Sequence, residues 1–197
     1  MSLTVVLLVV AAAVVGLAAW QTFVWVIEMK DKNRKYRAAR AQADARGKPL
    51  LVAGGPWGGR GIRNLIKLPA HPNGDACLDI NPRAIAGCPN AVLADVTRIP
   101  FADGVFGAAF ASHLLEHLPN TRAAETALSE LHRVADVVYI AYPYRQSLGG
   151  WLTRGHHLWV RQQGGTVLLT QRGRSVDKAD RHRSFKAPAR KSAEIGG

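Results

Sequence analysis

Four short runs decide how this chain folds: LLVAGGPWGG at residues 50–59, ACLDINP at 76–82, AVLAD at 91–95 and VFGAAFASH at 105–113. Each is apolar. They end, in turn, on the glycines from Gly54, on Asp79, on Asp95 and on the pair Ser112 and His113. Short apolar runs without alternation suit strands covered on both faces, as in a parallel sheet. In such sheets the ligand crevice lies at the carboxyl ends of the strands, where these glycines, acids and polar residues would gather.

The segments between and beyond the runs support the same architecture. Residues 61–68 read as a helix stopped by Pro69 and the turn His71-Pro72-Asn73-Gly74. Residues 121–134 carry Ala124, Leu128, Leu131 and Val134 at helical spacing. Residues 137–142 read as a fifth strand, broken by Pro143. Strands alternating with helices predict an α/β fold: a Rossmann-like, mostly parallel sheet flanked by helices.

A different solvent is written into the N-terminus. Residues 1–27 contain no charged side chain, and residues 3–27 are apolar apart from Thr4, Gln21 and Thr22. About 20 such residues span a bilayer core, so one transmembrane helix is expected ahead of the sheet. Trp20 and Trp25 sit near its far end, where such rings favour the interface. A cleaved signal peptide would want a basic start, a shorter apolar core and a small-residue cleavage site, and the run ends instead in Ile27-Glu28-Met29-Lys30.

Charge is distributed unevenly along the chain. Residues 28–48 hold eight basic against three acidic residues, residues 49–150 eight against eight, and residues 151–197 ten against three. The basic flank predicts a single-pass protein with its C-terminal domain in the cytoplasm. It also predicts attraction to anionic lipid headgroups, at about 1 kcal/mol per basic residue near the surface. A nucleic-acid binder would carry its basic patch on the folded face, which is neutral here, so nucleic acid is not an expected partner. The divisions expected are an anchor at 1–28, a basic juxtamembrane helix at 29–48, an α/β domain at 49–172 and a disordered basic tail at 173–197. Cys77 and Cys88 supply no disulfide framework and no paired zinc spacing; Cys77 is expected as a small core residue.

Each motif has a structural reading beside its functional one. Glycines between a strand and a helix let backbone approach a ligand, or simply make a tight turn. Asp79 is placed to accept the hydroxyls of a ribose, or to cap the turn at Asn81-Pro82. Asp95 is placed to accept from the exocyclic amine of a base, or to start a turn. His113-Leu114-Leu115-Glu116-His117 matches an H-x-x-E-H zinc pattern, but that chemistry needs a helix presenting both histidines and a further ligand downstream. The segment follows a strand, so no metal ligands are assigned and a crevice-lining loop is expected. His156-His157 with Trp159 lines a substrate mouth or packs; a doublet without acids beside it is weak as a metal site.

Taken together, the glycine loop, Asp79, the stretch ADVTRIPFADGVFGAAFASHLLEHLPN (94–120) and ALSELHRVADVVYIAYP (127–143) resemble a class I S-adenosylmethionine-dependent methyltransferase of the type 11 group. The resemblance runs from residue 50 to residue 143 and implies S-adenosylmethionine as cofactor. It places Gly54 and Gly58, with Gly55 between them, near the methionine part, Asp79 and Ile80 at the ribose, Asp95 and Val96 at the adenine, and Ser112 with His113 beside the sulfonium. His113 and His117 become candidate bases for an acceptor hydroxyl. The chain departs from the family pattern at Val52 (an acid), Pro56 (the middle glycine), Gly107 (an aspartate) and Ala135-Asp136 (the Pro-Gly-Gly turn). Two readings follow: a membrane-anchored methyltransferase acting on an unidentified small-molecule or lipid acceptor, or a catalytically inactive relative kept as a tethered binding or scaffold module.

Overall fold

The computed structural model describes residues 2–56, 73–173 and 180–188. The helix expected at 61–68 and Gly58 lie outside them. The first element, α1, is one unbroken helix over Leu3–Ala45. At 1.5 Å per residue its 43 residues run about 65 Å, well beyond a bilayer's thickness. Its most apolar stretch is not buried in the domain and is long and apolar enough to cross a membrane.

Five strands follow: β1 (Leu50–Ala53), β2 (Ala76–Asp79), β3 (Ala91–Leu93), β4 (Ala108–Ser112) and β5 (Val138–Ala141). They form one sheet in the order β3-β2-β1-β4-β5, every pairing parallel. The chain therefore reverses its winding between β1 and β4, which opens a crevice at their carboxyl ends. Both faces are covered. On one, α2 (Thr121–Val134) lays Ala124, Ala127, Leu128, Leu131 and Val134 over Leu51, Ala53, Ala109 and Ala111. Asn120 caps this helix, its Oδ1 accepting from the Ala123 N–H at 2.8 Å.

The opposite face is covered by α1 itself: the stretch read as a basic juxtamembrane helix, continuous with the apolar segment, packs against the sheet. Lys32, Tyr36, Ala39 and Ala43 recur at helical spacing and are buried. Tyr36, Ala39 and Ala43 share a core with Leu50, Val52, Cys77, Ala108 and Phe110. The methyl side chains of Ala39 and Ala43 let the helix lie close to the strands. Much of the basic flank also serves the fold: Arg40 pairs with Asp75 at 2.7 Å, Lys48 with Asp136 at 3.1 Å, and Arg34 and Lys35 with Asp31.

After β5 the structure departs from the sequence reading. A short helix, α3 (Leu148–Leu152), leads into an antiparallel sheet of β6 (Leu158–Gln163), β7 (Thr166–Gln171) and β8 (His182–Lys186). The strand β8 lies inside the tail expected to be disordered from 173. It is held by Phe185, which packs on the core and stacks with His132, and by Arg183, which bridges Asp180 and Glu125. Cys77 is the core residue expected, but it is also bonded to Cys88 in a disulfide. The turns at Asn81–Ala84 and Ile85–Cys88 fold the chain back beneath β2, a return that spacing alone does not show.

Candidate functional site

A crevice of about 320 Å³ sits at the carboxyl ends of the central strands, within the range of small-molecule sites. Gly54, Asp79, Ile80, Asp95, Val96, His113 and His117 all line it, joined by the apolar side chains of Leu78, Ala94, Leu114 and Leu118. Gly55 and Ser112 do not line it. Gly54 has φ +91°, and a Cβ there would run into the carbonyl oxygen of Ser112. Gly55, at φ +69°, lies against Ala84 in the same way. Both glycines are thus required by the turn's own packing, and Gly54 in addition leaves the crevice open.

The two acids combine their alternative roles. Asp79 Oδ1 accepts from the Asn81 N–H at 2.8 Å and Asp95 Oδ1 from the Thr97 N–H at 2.8 Å, so each fixes the turn after its strand. Each also forms crevice wall. Burial pushes the Asp79 carboxyl up from its ordinary range, while the N–H groups of Asn81 and Ile80 and the nearby charge of His117 oppose that rise. A shared wall of two acids, one glycine and apolar side chains matches a nucleoside: hydroxyls and an amine to donate, a flat ring to bury.

At the far end the crevice becomes imidazole-rich. His113 follows β4 with φ +48°, a left-handed conformation that costs a non-glycine residue of order 1–3 kcal/mol. Its N–H donates to Ala141 O at 2.9 Å, so the end of β5 imposes the bend. Its Nδ1 stands 3.2 Å from Oε1 of Glu116, without the alignment of a hydrogen bond. Glu116 and His117 lie on a single 3-10 turn, Leu115–His117. His156, remote in sequence, closes on this turn with its ring centroid 4.6 Å from that of His117. Burial lowers the His156 pKa, and the Gly150 carbonyl and Glu116 oppose that.

The N-terminal helix reaches this end of the molecule. The Glu28 carboxylate accepts from the Tyr144 N–H at 2.6 Å and is close enough to feel the charges of His113 and Glu116. Gln21, inside the apolar stretch, donates to Gln146 O and accepts from Leu148 N at the start of α3. Leu148, Trp151 and Leu152 of α3 are exposed beside it.

The parallel sheet, its order and the crevice at its carboxyl ends define a Rossmann-like α/β domain. Residues 65–136 match the family model described as a methyltransferase domain, a stretch that takes in Asp79, Asp95 and the His113–His117 turn but not the glycines at 54 and 55. A search of curated proteins gives no match. Among solved structures, the chain is similar to the PH0226 protein of Pyrococcus horikoshii, at 14% identity over 76% of this chain and 75% of that one, TM-score 0.38. It is similar to the N-methyltransferase NodS of Bradyrhizobium japonicum at 14% identity over 79% and 87%, TM-score 0.38. It is also similar to the amino pentose methyltransferase CalS10 of Micromonospora echinaspora at 16% identity over 89% and 78%, TM-score 0.38.

The sequence reading puts Glu116 on a crevice-lining loop and leaves His156 between a substrate mouth and packing, without bringing the two together. Glu116 follows a strand on a turn whose direction no periodicity predicts, and His156 arrives only through the α3 segment, whose helix the pattern does not reveal.

Proposed function

We propose that this chain is a membrane-anchored, S-adenosylmethionine-dependent methyltransferase whose acceptor is lipid-like or held at the membrane surface. The observation that carries the reading is the position of the crevice: two acids and a glycine suited to a nucleoside at one end, and His113 beside Glu28 at the other. Glu28 is the first charged residue after the apolar stretch. In this reading Asp79 holds the ribose, Asp95 and Val96 the adenine, and His113 or His117 takes the proton of an acceptor hydroxyl. The protein's contribution to rate is chiefly positioning, holding the acceptor in line with the methyl group. The exposed Leu148, Trp151 and Leu152 enter the interfacial zone beside Gln21, with the basic flank facing anionic headgroups.

The test is calorimetric titration of S-adenosylmethionine and S-adenosylhomocysteine into the full chain in detergent micelles. Micromolar affinity, roughly −8 kcal/mol, lost in Asp79→Ala, is expected. Transfer of a labelled methyl group into the organic phase of a membrane-lipid extract would then identify the acceptor class. Absence of any binding heat from folded protein rejects the enzyme and leaves a tethered scaffold, the reading favoured by Pro56, which has no N–H to offer a ligand.

The domain faces the cytoplasm if the basic flank governs insertion. The Cys77–Cys88 disulfide favours the opposite side, since such bonds persist mainly in oxidising compartments. Protease protection of the C-terminal domain in sealed vesicles of known orientation decides between them.

A further inference from the structure

Glu116 is 1% exposed, and neither of its carboxylate oxygens accepts a hydrogen bond. A buried carboxylate is tolerated where positive charge or a metal ion faces it. Two histidines do more than lie nearby. His117 Nδ1 is 3.0 Å from Gly155 O and His156 Nδ1 is 3.0 Å from Gly150 O. A carbonyl oxygen only accepts, so each Nδ1 carries the hydrogen, and each Nε2 of a neutral ring carries a lone pair. Metal-binding histidines are held in this way, one nitrogen donating to a fixed acceptor and the other facing the ion.

We propose that Glu116, His117 and His156 form a binding site for a divalent transition metal, zinc being the best fit. One ligand atom from each residue lies within 4.8 Å of the others. Bonds of about 2.0–2.1 Å in a tetrahedral site place ligands about 3.4 Å apart, so the side chains need to close by up to about 1.4 Å. The framework holding them is tight. Glu116 and His117 share one turn, and the His157 N–H donates to Glu116 O at 2.7 Å, tying the loop that carries His156 to that turn. Gly155 leaves room for the imidazole: a Cβ there would stand 3.3 Å from His117 Nδ1.

The ligand set differs from the H-x-x-E-H pattern. His113 Nδ1 stands 3.2 Å from Glu116 Oε1 without a hydrogen bond, and the third ligand comes from beyond α3. Two imidazoles and one carboxylate leave the fourth position open, as in catalytic rather than structural zinc sites. His117 also lines the crevice, so the open position suits an oxygen of the acceptor. That role rests on the methyltransferase reading; the site itself does not.

The test uses the full chain in micelles, stripped with a chelator and titrated with Co²⁺. One equivalent is expected to give the visible absorption of four-coordinate cobalt, bleached by Zn²⁺. His156→Ala and the near-isosteric Glu116→Gln should each weaken binding more than about 100-fold, beyond the 10–100-fold that loss of an outer partner brings. His182→Ala, remote from the cluster, should bind as wild type. Circular dichroism confirms that each variant is folded. No cobalt spectrum at millimolar metal, or a spectrum unchanged in both ligand variants, overturns the site. Parallel titration with S-adenosylhomocysteine separates the two ideas: cofactor binding without metal rejects this site alone, and metal without cofactor rejects the methyltransferase reading alone.

Discussion

Replacing Gly107 with alanine tests whether α1 is part of the domain. Gly107 precedes β4 and lies beneath the C-terminal half of the helix. Its φ is not in the left-handed region, so glycine is there for space alone. A methyl group at this position would stand 2.8 Å from Ala43 Cα and 3.1 Å from both Ala43 O and Lys48 Cβ. Carbon atoms pack best at about 3.5–4.0 Å, so the first contact is about 0.7 Å too short. The two Ala43 atoms are helix backbone, which no change of rotamer can move. Overpacking of this kind costs about 1–3 kcal/mol. Loss of glycine's freedom in the unfolded chain returns about 0.4–1 kcal/mol, leaving a net destabilisation of about 1–2 kcal/mol. For a chain of this size that lowers Tm by about 2–8 °C. Thermal unfolding in micelles measures it, with Gly149→Ala in α3 as control. There the methyl meets only Ser147 Oγ at 3.6 Å, so stability should hold or rise by up to about 1 kcal/mol. Ala43→Gly should not rescue Gly107→Ala, because the contact is with Ala43's backbone. If Gly107→Ala melts with wild type while the control behaves, α1 does not pack on β4 as described.

Three further outcomes are expected. Val52→Asp, which restores the family's acid, places a carboxylate in a fully buried apolar cluster and should cost more than about 3 kcal/mol; tighter cofactor binding at unchanged Tm would refute this. The Arg133 guanidinium holds the Glu130 carboxyl below its ordinary range against a smaller upward push from burial. A depressed carboxylate stabilises the fold above its unfolded pKa of about 4.3 and loses that contribution as pH falls through its folded value, so Glu130→Gln should flatten the acid limb of Tm against pH; parallel profiles would contradict the pairing. Gln21→Leu removes the bonds to Gln146 and Leu148 and should speed proteolysis within residues 145–154, whereas an unchanged cleavage rate would mean that the anchor does not brace α3.

The central sheet was legible because buried parallel strands leave apolar runs, and these runs end where the crevice must be. The helix Thr121–Val134 was legible to the residue, since an asparagine cap, an apolar stripe and terminal basic residues agree there. What escaped was set by tertiary contact. Nothing in the composition of residues 29–48 distinguishes a solvated basic helix from one whose alanines meet a sheet, because the stripe is made of small residues and its charges find acids far along the chain, such as Asp75 and Asp136. Strand β8 is polar by count, and only the seat of Phe185 and the Arg183 ion pairs give it a place. His156 joins the site through a turn containing Gly155, whose purpose shows only when His117 is seen against it.

The packing of α1 also gives a physical account of two departures from the family pattern. Gly107 stands where the family has an aspartate, directly beneath Ala43. Val52 stands where the family has an acid, in the same core as Tyr36, Ala39 and Ala43. Both positions face the helix, where a charged side chain would be buried among apolar groups. Asp79 and Asp95, which face the crevice, are acids as the family pattern has them. A site losing its function would be expected to lose acids on the ligand side as readily as elsewhere. Here both departures lie where α1 packs as a layer of the domain. The helix α1 is thus packed against Val52 and Gly107 on one face of the sheet, and is tied through Glu28 and Gln21 to the Tyr144–Leu148 segment. Under the proposed membrane-anchored reading, a crevice braced in this way would open at a fixed height above the bilayer, the placement a membrane-held acceptor requires.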